Sequence, residues 1–137
     1  MISSKLIRRI GAACLILPTG DHLIAPILTM IFAPALMTEV FGAGAVAAVV
    51  FFICLGIFQL VWIGVLLRSS NRLLLILGIL GNLVSIIIYF ISLGGVTIFG
   101  VPPQNGGIFA LLIKALEAVF VLASIDVMRR VALVETH

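Results

Sequence analysis

Residues 108–127 read IFALLIKALEAVFVLASIDV, an apolar run that carries Lys114 and Glu117 well inside it. As a helix rising 1.5 Å per residue, a run of this length crosses roughly 30 Å of hydrocarbon. Ionisable groups at that depth are expensive. They turn toward a bundle interior or a wet cavity and commonly mark a functional site. Lys114 and Glu117 therefore guide both the fold and the first candidate site, with the remaining apolar segments forming walls around the pair.

Composition agrees with a lipid solvent. The chain has 137 residues, 64% hydrophobic and 9% charged, where a soluble domain averages roughly 25% charged residues. A chain this short has no interior large enough to hide so much apolar surface from water. One compact polytopic membrane domain, residues 1–137, is expected, with no soluble module. The formal charge of +3 does not imply nucleic acid. Lys5, Arg8, Arg9, Arg68, Arg72, Arg129 and Arg130 lie at helix ends without interleaved aromatics, a pattern of membrane topology and not of phosphate binding. Cys14 and Cys54 fall in apolar segments without CxxC spacing and read as small core residues. The N-terminal KLIRR and the apolar run after it imitate a signal peptide. No A-x-A cleavage site follows, so a retained first helix is expected.

Four spans emerge, at residues 5–25, 45–67, 73–92 and 108–128. In the first, Gly11, Cys14, Pro18, Asp21 and Ala25 recur at i+3/i+4 spacing and define a face expected to meet other helices. Pro18 removes a backbone hydrogen bond and predicts a kink. Residues 26–44 contain Pro26, Pro34, Gly42 and Gly44, too many interruptions for a span. A broken, interfacial or re-entrant segment is expected there, with continuation of the first helix past Pro26 as the competing reading. The turn Arg68-Ser69-Ser70-Asn71-Arg72 is short enough to make its flanking helices antiparallel neighbours. In the third span Gly78, Gly81, Asn82, Ser85, Tyr89 and Ser92 share an arc of roughly 100°, while Leu74, Ile76, Leu83 and Ile87 are expected to look mainly to lipid. Residues 94–107, with Pro102-Pro103, form a loop, and the fourth helix is expected to end at Arg129-Arg130. The fold class is thus all-α, an antiparallel four-helix integral membrane bundle.

Seven of the eight Lys/Arg residues fall at the N-terminus, the second turn or the C-terminus; the eighth is Lys114. The positive-inside rule then puts both termini in the cytoplasm of a prokaryotic cell membrane. Asp21, His22 and Glu39 fall toward the outer face.

Asn82 and Glu117 come to similar depth, about 15 Å from the cytoplasmic ends of their helices, and Gln59 is expected somewhat closer to the cytoplasm. Lys114 lies one turn above Glu117, and Asp21 and His22 lie higher still. Two accounts stand. In one, Gln59 and Asn82 are interhelical glue worth about 0.6 kcal/mol per bond, and Lys114 neutralises Glu117 at i, i+3 or snorkels outward. In the other, Glu117 accepts a proton or cation, or binds a polar head, in a pocket that opens outward. His22 with Asp21 and Glu39 is a poor donor set for a transition metal, and outer-end capping by His22 is the expected alternative. The sequence contains no phosphate loop, nucleophile elbow or HExxH motif. No enzymatic activity, metal or cofactor is expected.

His22, Glu39, Gln59, Gly81-Asn82, Gly100-Val101-Pro102 and Glu117 together resemble a pattern found in a widespread group of small bacterial and archaeal membrane proteins with four helices. The likeness covers about residues 21–127. It implies the four-helix fold and these polar positions, and it implies no activity. In that pattern an Arg often follows the Ser that ends the third helix; Ser92-Leu93-Gly94 departs from it, so an outer-face anion site is not implied. Two functional classes follow: a structural or accessory membrane protein working with a partner protein, a homo-oligomer or the lipid bilayer, and a small transporter or ligand-binding protein using the outer pocket.

Overall fold

The computed structural model describes residues 3–98 and 107–135. Residues 99–106, with the expected Pro102-Pro103 loop, and His137 lie outside the described residues. Every regular element among the described residues is helical. They are α1 (Ser4–Phe32), α2 (Pro34–Phe41), a single 3-10 turn (Gly42–Gly44), α3 (Ala45–Arg68), α4 (Arg72–Leu93) and α5 (Ile108–Glu135). Four of these, α1, α3, α4 and α5, are long and apolar enough to cross a membrane. Their outward faces carry large apolar side chains, Ile16, Ile24, Val46, Leu60, Val84 and Leu122 among them, all more than half exposed. In water such a surface would drive aggregation; in hydrocarbon it has no cost.

The expected end of the first helix near residue 25 is too early. Helix α1 runs through both Pro18 and Pro26 to Phe32. Each proline forfeits one backbone bond, but its ring is buried against neighbouring helices, and helix packing compensates for the loss. The competing reading, continuation past Pro26, is the one realised. The break falls at Ala33 instead, whose φ of −143° and ψ of 55° leave the helical region. Pro34 then begins α2 at its first position, where a missing N–H costs nothing. Gly42 closes α2 with φ of 55°, a conformation that favours glycine. The segment between the first and second spans is broken as expected.

The inward face of α1 is also rotated from the one expected. Gly11, Leu15, Pro18, His22 and Pro26 are buried, whereas Ala25 is exposed and Cys14 and Asp21 lie at the edge. The selection of small and polar residues missed Leu15, which is fully buried. The face of α4 is as expected: Gly78, Asn82, Ser85, Tyr89 and Ser92 are buried, and Leu74, Ile76, Leu83 and Ile87 are exposed. At the other end, α5 continues past Arg129-Arg130 to Glu135, with an Arg130–Asp126 ion pair of 2.7 Å along it.

Helix α1 packs chiefly on α3 and α5, and α4 packs chiefly on α5. Gly56 brings α3 against the α1 backbone, where an added Cβ would lie 2.9 Å from the Leu23 nitrogen. Gly11 gives α5 similar access near Ala123. At Gly78 and Gly81 the space freed by glycine is filled by the rings of Trp62 and Phe58 and not by a backbone. The turn before α4 is tied from two sides. Asn71 caps α4, its Oδ1 accepting from the Leu73 and Leu74 amides at 2.9 and 3.3 Å. The Arg8 guanidinium donates to the carbonyls of Leu66 and Ser69 at 2.7 and 2.6 Å, satisfying groups that the end of α3 leaves without helical partners.

Along the bundle the interior is layered. Leu15, Trp62, Leu66, Leu75, Ile79, Phe120 and Val127 form an apolar core at the arginine-rich end. A polar layer follows, and beyond it an open cavity.

Candidate functional site

The polar layer is built around Glu117, whose side chain is fully buried. Glu117 shares the inward face of α5 with Ile113, Phe120, Val121, Ser124 and Val127, which recur at helical spacing. Lys114 does not snorkel. It is 9% exposed, and its Nζ donates to both carboxylate oxygens of Glu117 at 3.0 Å and to Ser85 Oγ at 3.0 Å. Three donors meet three acceptors, so the ammonium is saturated.

Ser85 in turn donates to Glu117 Oε2 at 3.1 Å. Gln59 Nε2 donates to Glu117 Oε1 at 2.9 Å and, more weakly, to Asn82 Oδ1 at 3.4 Å. Asn82 Nδ2 bonds back to the Gly78 carbonyl at 2.9 Å. The Gln59 amide must point its nitrogen at the carboxylate, because the reverse orientation would set two acceptors face to face. Its Oε1 is left buried without a partner among the described residues.

His22 belongs to this layer and does not cap an outer helix end. It is 3% exposed, with Nδ1 2.6 Å from the Pro18 carbonyl oxygen. A carbonyl only accepts, so Nδ1 carries a proton; a second proton on Nε2 would bury an imidazolium in a layer that already holds the Lys114 ammonium, and the neutral ring presents Nε2 as an acceptor. Nε2 faces Glu117 Oε1 at 3.7 Å, beyond hydrogen-bond length. Polar groups from all four long helices thus surround one carboxylate, with those of α3, α4 and α5 in hydrogen-bond contact with it.

Above this layer is a cavity of about 110 Å³. Its polar lining is Asp21, His22, Ser85, Tyr89, Ser92 and Lys114. Phe51, Phe52, Leu55, Ile88, Ala110 and Ile113 supply the apolar part. Of the seven residues singled out from sequence, Asp21, His22 and Lys114 line the cavity. Gln59, Asn82 and Glu117 lie in the polar layer and do not line it. Glu39 is exposed on α2 and joins neither.

Tyr89 and Ser92 were legible as part of the inward arc of α4 but not as pocket walls. Their position follows from the end of the bundle at which that arc meets α1 and α5. Phe51 and Phe52 gave no sign, being apolar residues in an apolar helix. The Tyr89 hydroxyl, like Gln59 Oε1 and Trp62 Nε1, is buried without a partner among the described residues.

No family model matches the chain, and comparison with curated proteins and with solved structures finds no match.

Proposed function

We propose that the chain is a small non-catalytic integral membrane protein that crosses the bilayer four times, keeps both termini in the cytoplasm, and binds a small solute or headgroup in the cavity above Lys114. The cavity itself carries this proposal: it opens beside the half-buried Asp21, and Ser85, Tyr89, Ser92 and Lys114 add polar side chains to a lining otherwise aromatic and aliphatic. A concave, mostly apolar pocket with a few convergent polar groups is the form that small-molecule sites take. The bias of Lys/Arg toward one end of the bundle supports the orientation, with the cavity at the opposite, outer end.

A second role, as an accessory component of a membrane complex, is favoured by the closure of the Lys114–Glu117 pair. Its donors and acceptors are consumed internally, which suits a structural floor better than a ligand group. The two roles divide the site: a structural floor below, a binding cavity above. Membership of the small four-helix group named above is part of the same proposal, supported by the polar positions alone.

Ala110 lines the cavity in the first turn of α5 and is half-buried, so Ala110→Cys is a mild change. In a chain with Cys14 and Cys54 replaced by Ala, an impermeant thiol reagent should label Ala110→Cys from outside intact cells. Labelling that requires permeabilisation would contradict the outward opening.

A further inference from the structure

We propose that the cavity selects a small organic cation, a primary or methylated ammonium group, and that Asp21 is its counter-charge. This rests on the outward cavity proposed above and adds the chemistry of its occupant.

The charges around the cavity do not cancel. Lys114 carries one positive charge and is bound to Glu117 by two contacts of 3.0 Å. His22, with Nδ1 donating to Pro18, contributes none as the neutral ring. Asp21 remains. It makes no hydrogen bond or ion pair among the described residues, although the Lys114 charge acts on it at longer range. The three ionised groups sum to one uncompensated negative charge. An anionic ligand would meet Asp21 and find the Lys114 donors already taken. A cation finds a carboxylate.

The remaining walls decide which kind of cation. Phe51, Phe52 and Tyr89 bring aromatic rings to the lining, and the Lys114 ammonium already lies 5.7 Å from the Tyr89 centroid; such rings attract ammonium groups while offering a hydrated metal ion no ligand. An inorganic cation of the calcium type takes about six to eight oxygens, more than one carboxylate and a few hydroxyls provide. The volume of about 110 Å³ suits a group of a few heavy atoms, since each liquid water occupies about 30 Å³. Such an ammonium is found both on soluble amines and on lipid headgroups.

The test uses purified Ala110→Cys protein with Cys14 and Cys54 replaced by Ala, in non-ionic detergent. Two methanethiosulfonate reagents of similar size are compared, one ending in trimethylammonium and one in sulfonate. A negatively charged cleft concentrates counter-ions by roughly tenfold or more, so the cationic reagent should react at least about tenfold faster after correction for rates with free thiol. Asp21→Asn should bring the two rates to within about twofold. Tetramethylammonium or methylammonium chloride should protect the thiol, and sodium chloride at the same ionic strength should not.

Equal rates, a faster anionic reagent, or a ratio unchanged by Asp21→Asn would overturn the cation assignment and leave an open cavity. Equal protection by sodium would overturn its organic character. Failure of both reagents to react would overturn the cavity opening, and the ligand with it. Repeating the rates in neutral glycolipid vesicles with and without phosphatidylethanolamine distinguishes the sources. Protection by the lipid indicates a headgroup, and protection by the soluble amine alone indicates a free solute.

Discussion

At Glu117 a fully buried carboxylate meets a lysine from its own helix, a glutamine from α3 and a serine from α4. The two partners of the ion pair are not equivalent. Lys114 borders the cavity, so with Glu117 replaced it would still face polar groups and water, whereas Glu117 has no exposed surface and no other cation near it among the described residues. Removing the lysine therefore strands a charge; removing the carboxylate does not. Lys114→Met should destabilise the folded protein by about 3 kcal/mol, in the range found for breaking buried pairs. Glu117→Gln should cost clearly less, because an amide retains most of the hydrogen bonds. The double variant should recover much of the Lys114→Met loss. Reversible unfolding in mixed micelles measures all three, and additive losses would mean that the pair is not coupled. These residues were legible from sequence because ionisable and amide side chains are rare in apolar runs. Ser85, which holds both partners, was visible only as a member of the inward arc. Arg8 was read as a topology marker, since nothing in the sequence joins it to the carbonyls of Leu66 and Ser69 on another helix.

At the scale of helices, glycine positions control how closely the elements approach. Gly56 faces the Leu23 backbone, while Gly64 has nothing within 4 Å of where its Cβ would be. Gly56→Ala should push α1 from α3 and lower stability by about 1–3 kcal/mol, the usual cost of overpacking. Gly64→Ala should stay within about 0.5 kcal/mol of the parent. Thermal unfolding in one detergent compares them, and equal effects would refute the close α1–α3 contact. The α4 face was readable because its polar residues all fall on one side of an otherwise aliphatic helix. The α1 face was misjudged by part of a turn, since Leu15 and Pro26 look inward without any polar mark. The helix also outlasted Pro26. Proline propensity, learned in water, overstates the break when surrounding helices compensate for the lost bond.

For the whole molecule, composition alone excluded an aqueous fold, and the four long apolar helices bear that out in outline. Orientation rests on the basic residues. Reporter fusions at the C-terminus and in the connection between α4 and α5 should signal opposite sides of the membrane; a shared side would contradict the four-span topology. The cavity was the least legible feature, because its walls come from four helices and half of them are ordinary apolar residues. The central claim is that this cavity holds a ligand against Asp21, above a closed structural pair. Native mass spectrometry of the protein extracted in polymer nanodiscs, without detergent, tests it most directly. The account predicts a low-mass cationic adduct on the parent chain that Asp21→Asn loses while the fold persists. A bare chain, an adduct indifferent to Asp21→Asn, or a partner subunit as the only companion would contradict it.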